Sequence, residues 1–215
     1  MTAFLLLSFP LSIICFINAQ KNYSAKAFVP AILFGSIPAI ILCIILEFFY
    51  FSNFIWTENV FRSFLHIFIL YSIIPFVCGQ ALFFIFSRDK LEYKLKAIFP
   101  LLSSFFAIYL PYQVLISEDS LSFFTLFFKP ILLILFCLSL SFSLQWLRQS
   151  VKAKNTAQII FSLILFFISL IFPSFVEILW YYQIFTFFPC LFMTLLFSAI
   201  TLVLGIFSGK APKSE

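Results

Sequence analysis

Charge is what this sequence has least of. Charged residues fill only 10% of its 215 positions, where a soluble domain carries about 25%. Hydrophobic residues make up 64% and the mean hydropathy is +1.16. No water-soluble core could hide that much apolar surface, because folding a small domain still leaves much of its area wet. A bilayer removes the difficulty by acting as the solvent for that surface. The composition therefore points to an integral membrane protein.

Other scarcities exclude chemistry. There is one histidine, His66, which leaves little choice for a catalytic triad and is a poor metal ligand without a second His or Cys beside it. Five cysteines stand at 15, 43, 78, 137 and 190, one in each of five apolar runs, with no CxxC and no Cys/His ligand spacing. Zinc and iron–sulfur readings fail on that pattern, and no cofactor is expected. No serine lies in a nucleophile-elbow motif. The gaps between apolar runs are too short for a soluble domain, which excludes an appended nucleotide-binding or nucleic-acid-binding module. Gly205-Ile-Phe-Ser-Gly209-Lys210 is one residue too short for a phosphate loop and lacks its Ser/Thr. Its GxxxG spacing suits close helix approach instead, with Gly209 ending the last helix.

What the sequence has is apolar length. Seven runs can be drawn, Ala3–Ala19, Ala27–Phe54, Phe61–Phe86, Ala97–Ile116, Leu121–Trp146, Ala157–Leu179 and Ile184–Phe207. A hydrocarbon core about 30 Å thick needs roughly 20 helical residues, so the expected fold is an all-α polytopic bundle of about seven transmembrane helices in a single domain. The least marked break is Trp180-Tyr-Tyr-Gln183, which carries no charge but has the aromatic character of an interfacial turn. Phenylalanine, 36 residues in all, is read as lipid-facing surface.

Basic residues alternate between the gaps. Lys21 and Lys26 follow the first run, and Arg88, Lys90, Lys94 and Lys96 the third. Arg148, Lys152 and Lys154 follow the fifth, and Lys210 and Lys213 end the chain. Of the intervening gaps, only the one after the second run holds a basic residue near it, Arg62. The positive-inside rule then predicts a cell-membrane protein with its N-terminus outside and its C-terminus cytoplasmic. The first run has no basic n-region and a bulky −3 residue at Ile17-Asn18-Ala19, so it is read as a span rather than a cleaved leader. The Asn22-Tyr-Ser24 sequon is then cytoplasmic.

Four ionisable residues fall inside the runs: Glu47, His66, Lys129 and Glu177. An intramembrane charge costs roughly 2.5–3.5 kcal/mol or more near the bilayer centre, so each needs a reason. The predicted orientation puts all four on the outer side. Lys129 lies about 12 Å into its run at 1.5 Å per residue, where it can snorkel outward or pair with Glu47 or Glu177. Together they form a candidate outward-facing binding pocket, or else a set of interfacial side chains reaching headgroups.

Local phrases add a resemblance. Pro75-Phe-Val-Cys78-Gly79-Gln-Ala-Leu, Phe106-Ala107 with Leu110-Pro111, Pro130 with Ile134, and Pro173-Ser174 with Glu177 follow one another in this order. With the short first run and the basic stretch before the long second one, this layout resembles the PrsW-type intramembrane protease family. The resemblance implies a helical bundle whose motifs EExxK and FxxxEN, and two histidines, carry proteolysis. This chain departs at each of those positions. Cys78 and Gly79 stand where the paired glutamates would be, Leu110 replaces the later glutamate, and Ile134 and Glu177 replace the histidines. A fainter similarity joins Glu58-Asn59-x-x-Arg62 to the EExxxR motif of CAAX-protease-like proteins, without the second glutamate or the downstream histidines.

Hydrolysis inside lipid needs a base or a metal to activate water, and those replacements supply neither. The resemblance thus implies an inactive scaffold with no catalytic residues and no metal, whose partners are the bilayer and a transmembrane helix of another protein. The rival expectation is a small transporter component or an accessory subunit of a larger membrane complex.

Overall fold

A computed structural model describes residues 25–49, 59–79, 83–85, 94–95, 97–116 and 123–209. The first apolar run, the sequon, Glu58 and the C-terminal lysines lie outside these residues. Every regular element among the described residues is helical. They are α1 (Ala25–Phe49), α2 (Val60–Phe68), α3 (Ile98–Ile116), α4 (Lys129–Lys152), α5 (Thr156–Tyr181) and α6 (Phe187–Gly209). Four stretches are long and apolar enough to cross a membrane: Val29–Phe48, Phe124–Lys152, Thr156–Tyr181 and Phe187–Ser208. The shorter Ile98–Val114 is apolar as well.

Side chains sort in the way a bilayer demands. The outer faces of α1, α5 and α6 expose large apolar residues, among them Leu33, Ile41, Phe48, Phe167, Ile171, Phe192 and Leu202. Serine and threonine lie inside, at Ser139, Ser143, Ser162, Ser169, Thr194 and Thr201. Their hydroxyls donate to carbonyls three or four residues back, as Thr194 Oγ1 does to Cys190 O at 2.8 Å and Ser169 Oγ to Leu165 O at 2.8 Å. Each small polar group is thereby satisfied within its own helix and leaves room for close packing. Phenylalanine is not confined to the lipid-facing side, as its abundance suggested. Phe83, Phe99, Phe105, Phe106, Phe128, Phe136 and Phe197 are among the largest fully buried side chains. A planar ring fills interior gaps as well as it meets lipid.

Helix packing follows small-residue stripes. On α1, Ala31, Gly35 and Ala39 repeat every fourth residue and are all buried, so they share one face. That face meets α3 so closely that a Cβ at Gly35 would overlap the Leu101 carbonyl oxygen and Ser104 Oγ. Ser104 Oγ also donates to Ile32 O of α1 at 3.3 Å. On α6 the buried residues Cys190, Thr194, Phe197, Thr201, Leu204 and Ser208 alternate by four and three, the seam of a helix pair. This seam packs on α4, where Gln149 Nε2 donates to Ser208 O at 2.7 Å. Gly205, flagged by its GxxxG spacing, faces the Phe142 ring. Helix α4 is the hub, packed against α3, α5 and α6.

Two prolines follow local widenings of the helix. Residues Ile69–Ile73 and Phe124–Phe128 are π-helical, closed by bonds from Ile74 N–H to Ile69 O and from Lys129 N–H to Phe124 O. Pro75 and Pro130 come immediately after. A proline ring clashes with the carbonyl four residues back, and a wider turn relieves that clash. A second π-helical segment, Pro75–Gly79, continues the first. The α4 helix runs to Lys152, beyond the expected end at Trp146, because Leu147–Lys152 extend it as polar turns past the apolar run.

Candidate functional site

The bundle gathers its ionisable residues by the way its ends meet. Helices α1, α3 and α5 bring their C-terminal ends to the place where α2 and α4 begin. Three contacts join these ends in pairs, and the packing of α3 on α4 brings the pairs together. Tyr112 near the end of α3 donates to Glu47 near the end of α1 at 3.2 Å. Ser63 in the first turn of α2 shares a 3.0 Å hydrogen bond with Tyr182, the residue that caps α5. Lys129 opens α4 and Glu177 lies in the last turns of α5.

Lys129 Nζ sits 2.8 Å from Glu177 Oε1, and the two side chains are only 10% and 16% exposed. Of the alternatives the sequence left open for Lys129, this geometry is pairing with Glu177 rather than snorkelling or pairing with Glu47. The surroundings explain why. Phe124 stacks on Trp180 with centroids 5.3 Å apart, and Phe128 lies 6.2 Å from Trp180 and 5.6 Å from Phe187. These rings build a wall at the mouth of α4. In such apolar surroundings a buried ammonium is stabilised by a counter-ion in contact. The π-helical turn ahead of Lys129 belongs to the same wall, since it carries both Phe124 and Phe128.

Glu47 is different. It is exposed at the rim, and its described link is the Tyr112 hydroxyl. Between these two links lies Tyr109, fully buried, with Gln113, Cys43, Tyr112 and Glu177 as its polar neighbours. His66 lies on α2, half-buried, one turn after Ser63. Deeper in the bundle, Ser72 of the first π-helical segment and Ser174 of α5 place their hydroxyls 3.5 Å apart. The structure thus joins Lys129 with Glu177 and Glu47 with Tyr112, while His66 lies half-buried on α2.

Sequence reasoning missed Tyr109, Tyr112 and Gln113. Their signal was present, for all three sit in the last turns of the run Ala97–Ile116, at the depth where Glu47 and Glu177 end theirs. A search confined to formal charges passes over a phenol and an amide.

The positions singled out by the sequence resemblance can be placed in part. Leu110 is fully buried in α3 and Ile134 is half-buried on α4. Glu177 is the partner of Lys129. Cys78 and Gly79 fall in the second π-helical segment. Among the described residues, no three His, Cys, Asp or Glu side chains gather as a metal site. Chemically, the pair ties the start of α4 to the end of α5. No protein-family model, no curated protein and no solved structure matches the chain.

Proposed function

We propose that this chain is a seven-span membrane protein, N-terminus outside and C-terminus cytoplasmic, that descends from a PrsW-type bundle and no longer cuts peptide bonds. Its work is to hold a transmembrane helix of another protein. The observation that carries this reading is the Lys129–Glu177 pair. The glutamate standing where the protease family has a histidine is committed to an ammonium at 2.8 Å, so its charge serves helix packing instead of water activation.

Four long apolar helices support the multi-pass reading. A fifth span is α3, whose 19 residues cover about 28 Å and whose near-complete burial suits a central position. A sixth is α2 with its π-helical continuation, and the first apolar run completes the count. The kinship with PrsW-type proteases rests on the sequence phrases alone. The holding role draws on α5, whose residues Ile164, Phe167, Ile168, Ile171 and Phe175 form an exposed apolar face against which another helix can pack.

Two measurements test the reading. Purified protein incubated with a panel of transmembrane peptides, with and without added metal, is expected to leave every peptide intact. Photo-crosslinking from position 167 in native membranes is expected to give one protein adduct of fixed mass, absent when the probe is moved to position 41 on α1. Peptide cleavage that disappears in Cys78→Ser or Glu177→Gln defeats the inactive reading. Lipid adducts alone at both positions defeat the helix-holding role.

A further inference from the structure

We infer that the turn joining α4 to α5 is a headgroup site for anionic phospholipid, with Lys152 and Lys154 as its cationic contacts. The inference rests on the membrane-embedded reading above, though on neither its orientation nor its protease descent.

Residues 151–158 are all exposed, so both ammonium groups stand at the surface. Of the other described cations, Arg62 is exposed as well but lies on α2 at the opposite end of the bundle, and three more are differently placed. Lys94 donates to the Phe84 carbonyl at 2.9 Å and lies over the Phe84 ring, Arg148 is half-buried, and Lys129 is paired. The acidic residues among the described ones are Glu47 and Glu177, and both lie at the opposite end of the bundle. Lys129 and Lys152 mark the two ends of α4, about 35 Å apart, several Debye lengths at physiological salt. No described carboxylate therefore offsets the positive field at this turn. The first turn of α5 carries no acidic residue either, so the positive end of that helix adds to the field.

The turn itself is rigid. Lys154 has φ 54°, and Lys154 N–H reaches Val151 O at 3.2 Å while Asn155 N–H reaches Ser150 O at 3.1 Å. That is the Schellman closure, which favours glycine at the left-handed position. The α5–α6 turn repeats it with Gln183 at φ 56°, with Gln183 N–H on Trp180 O and Ile184 N–H on Leu179 O, both at 2.9 Å. Two turns with the same closure carry a neutral side chain at one end of the bundle and a lysine at the other. The charge at 154 is therefore not required by the turn.

What lies beside the lysines selects lipid over a free phosphate. Val151, Ile160 and Phe161 are large, apolar and exposed, next to the turn on α4 and α5. A phosphate held by the lysines would carry its acyl chains along these residues. Basic residues at such a surface attract anionic lipid at about 1 kcal/mol each.

The test uses the full-length protein reconstituted in phosphatidylcholine vesicles with and without phosphatidylglycerol. Fluorescent phosphatidylglycerol is expected to be enriched around the protein, with affinity falling roughly fivefold for each of Lys152→Gln and Lys154→Gln. Arg62→Gln, at the other end, should leave it unchanged. Lys154→Gly separates binding from folding, since glycine suits the left-handed position. It should keep or raise the thermal midpoint in pure phosphatidylcholine while showing the same roughly fivefold fall in phosphatidylglycerol affinity as Lys154→Gln. Equal enrichment in Lys152→Gln/Lys154→Gln and the unaltered chain overturns the site. Full displacement by millimolar inorganic phosphate overturns the choice of lipid. A chain that fails to enter vesicles at all defeats the membrane reading instead, and the two failures are told apart by flotation.

Discussion

Lys129 and Glu177, 48 residues apart in the chain, meet at 2.8 Å and close the first turn of α4 onto the last turns of α5. Breaking one side of such a buried pair takes from the other its contact counter-ion, at a cost of about 3 kcal/mol or more. Lys129→Met and Glu177→Gln are therefore each expected to lower thermal stability in detergent strongly. The double variant, which removes both charges, should recover much of the loss. Strict additivity in the cycle would show that the two groups do not stabilise the fold as a pair.

Gly35 gives the sharpest packing prediction. A methyl group there has no space, because the atoms it meets are the Leu101 carbonyl oxygen and Ser104 Oγ of α3. Backbone cannot step aside as a side-chain tip can, so Gly35→Ala should destabilise by about 1–3 kcal/mol. Gly205→Ala is the control, since its Cβ would stand 3.3 Å from the edge of the Phe142 ring, which can shift. A thermal-unfolding comparison that ranks Gly205→Ala as the more damaging would contradict the close α1–α3 contact.

Much of the helical layout was legible because apolar length is a strong signal. The runs Ala97–Ile116, Ala157–Leu179 and Ile184–Phe207 reappear as α3, α5 and α6 with ends moved by a few residues, and the described part of Ala27–Phe54 lies in α1. The uncharged break at Trp180–Gln183 is a real turn, held by backbone bonds to Ile178, Leu179 and Trp180. Less could be read of what each face meets. Ala31, Gly35 and Ala39 form a stripe only once α1 is known to lie on α3, and GxxxG spacing directed attention to Gly205 and Gly209. For the site, depth alone put Lys129 within range of two carboxylates. The choice of Glu177 depends on the α4–α5 hairpin, which brings the start of one helix to the end of the next. Tyr112 could not be assigned to Glu47 without the parallel packing of α1 and α3. The π-helical turns ahead of Pro75 and Pro130 have no sequence signature beyond the prolines themselves.

The seven-span reading makes the most direct prediction, because the side of each loop is a yes-or-no observable. Each odd-numbered run is followed by lysine or arginine, and cytoplasmic loops hold the excess of such residues. Reporter fusions placed after Lys26, Lys96, Lys154 and Glu215 are expected to report cytoplasm, and fusions after Asn59, Asp119 and Tyr182 the exterior. The sites are not equivalent as tests. The Lys154 and Tyr182 fusions bracket α5, whose 26 residues are ample for one crossing, so these two must differ in any membrane-spanning arrangement. The fusions after Lys26 and Asn59 bracket the apolar stretch Val29–Phe48 of α1 in the same way. The span count depends on Lys96 and Asp119, which bracket α3, because a buried helix of 19 residues could fold back without crossing. If those two fusions report the same side while the α1 and α5 pairs still differ, α3 does not cross and the count of seven is wrong. An exterior signal at Glu215, with every other site as expected, would instead remove the crossing assigned to α6.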